Sequence, residues 1–182
     1  GGGGGPAADP ERAALEASRR ARGRLRRYCA ANGLNRLGTL TYRPPGCHDP
    51  RQARADAGRF FRRLRAGLGG DPFPYVWGPE WHKTDHGMHL HFAVGRFVPR
   101  SEIAEAWGHG FVHIKLLSGT PSGAGTWGEA RRAAGYLSKY VAKTFGEDDQ
   151  HKRPRGLHRF DVAQEFSPRA VRLYGDSPGE VV

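Results

Sequence analysis

Two histidines lie two residues apart in Met88-His89-Leu90-His91-Phe92-Ala93-Val94. Residues 88, 90, 92 and 94 are apolar, and the side chains of a β-strand alternate between its faces, so those four predict the core side of a strand. His89 and His91 then project together from the opposite face. Two imidazoles so placed can grip one metal ion, each through a ring nitrogen. A bare His-x-His also suits a solvated strand face, so the signal needs a partner. Val76-Trp77-Gly78-Pro79-Glu80-Trp81-His82 offers one. Its even positions bring Glu80 and His82 to one face, with Tyr75, Trp77 and Trp81 on the other. A turn through Lys83–Gly87 pairs the two strands as a hairpin, and in either in-phase register Glu80 falls beside His89 or His91. A slip of one residue would turn the aromatic face away from Met88, Leu90 and Phe92, so burial constrains the register. Two imidazoles and a carboxylate with open positions suit Mn2+ or Mg2+. Structural zinc would prefer thiolates in a closed tetrahedron. His82 is the reserve ligand.

Residues 127–145 have a helical period. Trp127, Ala130, Ala134, Leu137, Val141 and Phe145 form one apolar stripe. Tyr136, Lys139, Tyr140 and Lys143 gather about a third of a turn away. A helical tyrosine pair usually serves the core, but this stripe is complete without them, which weakens that reading. A phenol ionises near pH ~10, so nucleophilic use needs cationic neighbours or a metal. The two lysines fit that role.

The elements that must position these groups follow from pattern and punctuation. Leu37–Tyr42 predicts a strand stopped by Pro44-Pro45, and 51–67 an amphipathic helix with Ala53, Ala57, Phe60, Phe61 and Leu64 inward and arginines outward. Further strands are expected over Pro74–His82, Met88–Phe97 and Gly110–Leu117, with a short helix from Pro99 and Ser101 to Trp107. Ser118–Gly125 reads as a loop, and Trp127–Phe145 as a helix closed by Gly146. A first helix opens at Asp9-Pro10 and reaches about Tyr28. Strands in hairpin-like succession, interrupted by helices, favour an α+β fold with a central antiparallel sheet over a parallel array. The expected organisation is a glycine-rich tail over 1–8, a catalytic domain over 9–146 and a polar extension over 147–182.

The 182 residues carry Lys+Arg 29 against Asp+Glu 18, a formal +11, with 24 Arg and 5 Lys. The pI near 10.3 points to a polyanionic partner, because neutralising phosphates releases condensed counterions. No apolar run is long enough to span a bilayer and no signal-peptide pattern opens the chain, which predicts a soluble, cytoplasmic protein without a membrane partner. Cys29 and Cys47 are too few for a disulfide framework. The two could join His48 in a zinc site, but they lack the paired spacing of such sites.

In chain order, Leu40-Thr41-Tyr42, Glu80 ahead of His89-Leu90-His91-Phe92, and Tyr136-x-x-x-Tyr140-x-x-Lys143 resemble the three motifs of the HUH endonucleases. More narrowly, they are similar to the rolling-circle replication initiators (Rep proteins) of bacterial plasmids and single-stranded DNA phages. The resemblance spans residues 36–146. It implies a tyrosine-bearing helix beside a metal site on the sheet. It also implies that His89, His91 and Glu80 hold a divalent ion, Mn2+ or Mg2+, on the scissile phosphate of single-stranded DNA at a replication origin, often exposed in a hairpin. Tyr136 or Tyr140 would attack phosphorus, leaving a 5′-phosphotyrosine adduct and a free 3′-hydroxyl, while Lys143 and Lys139 position the phosphate. Arg19, Arg20, Arg22, Arg24, Arg26, Arg27, Arg62 and Arg63 are the expected backbone contacts, and Trp, Phe and Tyr side chains the expected stacking platforms.

The pattern also departs from its relatives. No Gly-Lys-Ser/Thr phosphate loop is present, so a host helicase and polymerase are the expected partners of a stand-alone nuclease or of an excised nuclease domain. Relaxases of the superfamily usually use three histidines, and its transposases typically one tyrosine. Two other classes compete. A non-catalytic basic module would bind single strands whether or not metal is chelated. A phosphodiesterase with water as nucleophile would leave ends unattached to protein.

Overall fold

Asp9 and Asp49 each start a helix in the same way. A carboxylate oxygen accepts the backbone N–H two residues on, at 3.0 Å from Glu11 and 2.9 Å from Arg51, and proline fills the first helical position where no donor is needed. The helices so begun are α1 (Pro10–Ala31) and α2 (Pro50–Gly67). The computed structural model describes residues 9–81, 87–116, 135 and 160–169. Besides these two helices it contains β1 (Arg36–Tyr42), β2 (Tyr75–Trp81), β3 (Met88–Val94), α3 (Arg100–Trp107), β4 (Gly110–Leu116) and β5 (Asp161–Val162). The strands form one antiparallel sheet in the order β4-β1-β3-β2-β5, and the fold is α+β.

The sheet has two unlike faces. Leu40 and Tyr42 of β1, Met88, Leu90, Phe92 and Val94 of β3, Trp77 of β2 and Val112 of β4 turn to one side. There they pack against Ala53, Ala57, Phe60, Phe61 and Leu64 of α2 and Ile103, Ala106 and Trp107 of α3. The α2 residues recur at helical spacing, so that helix presents one continuous apolar stripe to the sheet. On the other side α1 places Leu25, Tyr28 and Cys29 over Val76 and Ala93, with Leu37 and Val162 beside them. That helix covers one end of its face and leaves the rest to the polar residues described below.

Close approach decides one glycine. Gly38 stands opposite Phe92, and a Cβ there would lie 2.1 Å from the Phe92 ring. Phe92 is only 1% exposed and is wedged beside Phe60 at 5.3 Å and Phe61 at 6.1 Å between centroids, so the ring has nowhere to swing.

Most boundaries fall within a residue or two of those expected, and the differences have local causes. The first helix continues past Tyr28 to Ala31, where Asn32 closes it through its side-chain amide on the Tyr28 carbonyl at 2.9 Å. The third strand ends at Val94 rather than Phe97, because Gly95 passes against the Asn32 and Gly33 carbonyls, at 2.8 Å from a would-be Cβ. The two-residue β5 pairs with Val76 and Trp77 on the outer edge of β2 and falls in Phe160–Phe166, the stretch of the polar extension where the sequence carries some periodicity. The expected tail over 1–8, the loop at Ser118–Gly125, the helix over Trp127–Phe145 apart from helical Gly135, and most of the extension over 147–182 lie outside the described residues. No helix among the described residues is long and apolar enough to cross a membrane.

Gly38→Ala is expected to cost about 1–3 kcal/mol, since the added methyl overpacks a closed core. Urea unfolding should show a lower midpoint at an unchanged slope; an unaltered midpoint would mean that the Phe92 ring can relocate freely.

Candidate functional site

Residues facing each other across antiparallel strands share a face, so the register lays the polar side of the sheet out in rows. One row runs Phe111, Thr41, His89, Glu80 from β4 through β1 and β3 to β2. The next runs His113, Thr39, His91, Gly78. Glu80 is thus directly opposite His89. Gly78, opposite His91, has no side chain, and the Glu80 carboxylate reaches across that gap to touch His91 Nε2. On its other side His91 Nδ1 meets Thr39 Oγ1 at 3.1 Å. The ring is therefore held from both nitrogens, by a carboxylate on β2 and a hydroxyl on β1. His89 lies one pleat along, half-buried with its Nε2 enclosed.

The expected donors Glu80, His89 and His91 accordingly share one face. Among the described residues no three His, Cys, Asp or Glu side chains converge as a formed metal cluster. The donor chemistry nevertheless fits a divalent ion. A carboxylate oxygen and an imidazole nitrogen already face one point, and Thr39 accepts from Nδ1–H in the tautomer that leaves Nε2 open for ligation. His82 lies outside the described residues, as do Tyr136, Lys139, Tyr140 and Lys143.

The described tyrosines are set against nucleophilic use. Burial pushes the Tyr28 phenol up to about 12. Tyr42 is raised further, by burial and then by its hydrogen bond to the Asp56 carboxylate. Tyr75 is also raised by burial. All three are kept protonated, the reverse of activation. The remaining tyrosines of the chain, Tyr136, Tyr140 and Tyr174, lie outside the described residues.

The basic residues divide between the two sides of the sheet. Arg19, Arg20, Arg24, Arg26 and Arg27 are exposed and Arg22 half-buried on α1, which packs on the histidine side. Arg62 and Arg63 are exposed on α2, behind the sheet. The stacking platforms are fewer than expected. Trp77, Trp107, Phe60, Phe61, Phe73 and Phe92 are consumed by the core, because so small a domain needs its aromatic volume there. Phe111, 67% exposed, stands on the histidine side, whereas Phe97, 72% exposed, follows the end of β3. Cys29 and Cys47 belong to core clusters on opposite faces of the sheet, which separates them too far to share a zinc ion.

Sequence reasoning passed over the group that fixes the end of β1. Asp56 of α2, 2% exposed, accepts the Tyr42 hydroxyl at 2.8 Å and the Gln52 amide at 3.0 Å. Arg59 also bonds it, and His109 Nε2 lies 3.4 Å away. Burial pushes its carboxyl up, but the bonds from Tyr42 and Arg59, with the His109 charge, outweigh this and hold it below the ordinary range. Trp107 Nε1 donates to the Thr41 carbonyl at 3.2 Å, and the Arg43 N–H to the His109 carbonyl at 2.9 Å. Thr41 is thereby pinned across from His89. An Asp four residues after Gln52 and three before Arg59 on an otherwise apolar helix stripe was the available signal. In Phe111-Val112-His113-Ile114-Lys115, period-two alternation could likewise have added His113 and Phe111 to the histidine face.

An antiparallel sheet with this polar face is the setting in which residues 35–145 match the family of replication-associated protein ORF2/G2P. The match takes in more than half of the chain, which belongs to that family. No curated protein and no solved structure matches it.

Asp56→Asn is expected to destabilise the fold by about 1–3 kcal/mol at neutral pH, by weakening a buried hydrogen-bonded carboxylate. The folded carboxyl titrates below its ordinary 3.8, so its contribution is complete above that pH and disappears as pH falls through the lower folded value. Urea unfolding against pH should show the two proteins far apart at pH 7 and converging in acid. A gap that persists there would mean that the carboxylate charge is not what matters.

Proposed function

We propose that this replication-associated protein is an HUH-type nicking and joining endonuclease acting on single-stranded DNA at a replication origin. The observation that carries the reading is the placement of Glu80, His89 and His91 on one face of the sheet, with His91 held between Glu80 and Thr39. These three residues would hold Mn2+ or Mg2+. Such an ion, when bound, supplies charge neutralisation to a non-bridging oxygen of the scissile phosphate. Thr39 keeps the His91 ring in its orientation. The enclosure of Tyr28 and Tyr42 supports a nucleophile from the C-terminal third of the chain, where Tyr136 and Tyr140 lie four residues apart in sequence with Lys139 and Lys143 near them.

In the reaction the phenolic oxygen of Tyr136 or Tyr140 forms a bond to phosphorus and loses its proton. The P–O3′ bond breaks, and the departing 3′-oxygen takes up a proton. The phosphorus stays on the 5′ end as a phosphotyrosine, so the reverse reaction rejoins ends without a nucleotide cofactor. Lys143 and Lys139 stabilise the charge that develops on the phosphoryl oxygens. The exposed arginines of α1, on the histidine side, contact the strand backbone. A host helicase and polymerase in the bacterial cytoplasm would extend the released 3′ end.

The test is a denaturing gel of the protein with origin-containing single-stranded DNA and Mn2+. A protein–DNA band that survives detergent and heat is expected, absent with EDTA and lost in Tyr136→Phe, in Tyr140→Phe or only in the double variant, with Tyr174→Phe unaffected. Cut DNA without a covalent band would promote water as nucleophile. Binding that survives EDTA, with neither cleavage nor adduct on a verified origin, would leave a binding module.

A second outcome concerns the orienting hydroxyl. Thr39→Val should weaken Mn2+ binding about 10–100-fold, the usual effect of removing a partner that orients a ligating histidine. Calorimetric titration reads it directly; unchanged affinity would remove Thr39 from the site.

A further inference from the structure

A cavity of about 390 Å³ opens on the side of the sheet away from the histidines, where α2 meets the β2–β5 edge. That volume lies within the range of about 300–1,000 Å³ usual for small-molecule sites. Arg62 and Arg65 of α2 stand along one rim, and the turn Ala163–Phe166 after β5 along the other. Phe73 and Tyr75 wall the space between them, with Tyr75 stacked on Phe61 at 3.6 Å between centroids. The far wall is tied down at both ends. Ala163 N–H donates to the Tyr75 carbonyl at 3.0 Å, and the Asn32 amide donates to the Phe166 carbonyl at 2.9 Å. Glu165 holds a left-handed backbone, φ +74°, that non-glycine residues seldom adopt. Such strain persists where the surroundings enforce it and is concentrated at functional positions.

The rim chemistry is asymmetric. Arg65 is anchored through Nε on the Gly70 carbonyl at 2.6 Å, which fixes its guanidinium at the mouth. Gly58 lines the cavity between the Arg54 and Arg62 turns of α2, and its missing side chain keeps that wall open. Two guanidiniums on one side match a phosphate. The aromatic wall suits a base, and the Glu165 carboxylate opposite can accept from the amino edge of one.

We infer that this groove is a nucleotide-binding subsite, taking one nucleoside phosphate with its phosphate on Arg62 and Arg65 and its base against Tyr75. Its preferred source is a nucleotide of the DNA strand outside the cleaved linkage, and this choice of source rests on the DNA reading above. The strand then passes round the β5 edge and is held on both sides of the sheet. Arg62 acts there as part of a shaped site, whereas Arg63 adds only to the general field.

The experiment uses the full chain in EDTA, so it reads binding whether or not any strand is cut, and its failure leaves the covalent-adduct test standing. Labelled single-stranded DNA is titrated by fluorescence anisotropy against wild type, the Arg62→Ala/Arg65→Ala double variant and Gly58→Leu. The last variant fills the groove with its charges intact, since a Cβ there meets nothing closer than the Arg62 guanidinium at 3.3 Å. Both variants should weaken binding about tenfold, and the double variant should flatten the log–log salt dependence by about 1.4, the value for two phosphate contacts on a single strand. Thermal melts establish that both are folded. Loss in the double variant with wild-type binding by Gly58→Leu would reduce the arginines to diffuse attraction and overturn the subsite, as would no loss in either. A parallel titration with deoxyadenosine monophosphate, read by saturation-transfer NMR, separates the sources. Signal abolished by Gly58→Leu while DNA affinity is unchanged would assign the groove to a free nucleotide and overturn the strand path.

Discussion

The structure depends on the apolar face of β3. Met88, Leu90, Phe92 and Val94 are buried against the stripe of α2, and a one-residue slip of that strand would turn all four to the other face. Because a strand alternates strictly, this burial alone sends His89 and His91 the other way. The same constraint acts on β2, where Trp77 enters the core and Glu80 therefore leaves it. Side-chain burial of about 1.5–3 kcal/mol for each large apolar residue thus enforces the position of polar groups that contribute little to stability themselves. A substitution that disturbed the Phe60–Phe92 contact would move the site without touching it.

The two faces of the sheet are covered to different extents, and that difference makes room for chemistry. Two helices, α2 and α3, pack on the core side. On the other, α1 buries only Ala21, Leu25, Tyr28 and Cys29, so it meets the sheet at the Val76–Ala93 end and goes no further. Further along that face stand Thr39, Thr41, His89, His91, Glu80, Phe111 and His113. The exposed arginines of α1 lie on that same side of the sheet and add to the positive field there.

Much of this was legible from residue order. Period-two alternation laid out β2 and β3, strand-type composition and its stops located β1 and β4, helical spacing located α2, and Pro99 with Ser101 marked the start of α3. The shared face of Glu80, His89 and His91 followed from the same arithmetic. Contacts that depend on the third dimension did not. Nothing in Thr39 announces that it will meet His91, since the pairing of β1 with β3 joins residues 52 positions apart. The reach of Glu80 past its direct partner to His91 depends on the absence of a side chain at Gly78, a property of the neighbouring row. Asp56 was hidden in an apolar stripe, where its partners Tyr42 and His109 come from other elements. Aromatic residues misled in the opposite sense, because composition cannot distinguish a stacking platform from core filling.

The choice of nucleophile shows how burial excludes as well as assigns. Desolvation raises a phenol because it penalises the phenolate, and Tyr28 and Tyr42 both suffer it within the domain core. Tyr42 is doubly unsuited, since the carboxylate it serves repels the charge it would have to carry. A tyrosine that attacks phosphorus needs cations nearby and an open path to the histidine face. Tyr75 fails on position, since its side chain lies with Phe61 behind the sheet. Burial has thereby set all three described tyrosines, Tyr28, Tyr42 and Tyr75, against carrying a phenolate. For the reaction proposed above, the tyrosines left within the family match are Tyr136 and Tyr140, with Lys139 and Lys143 close to them in sequence.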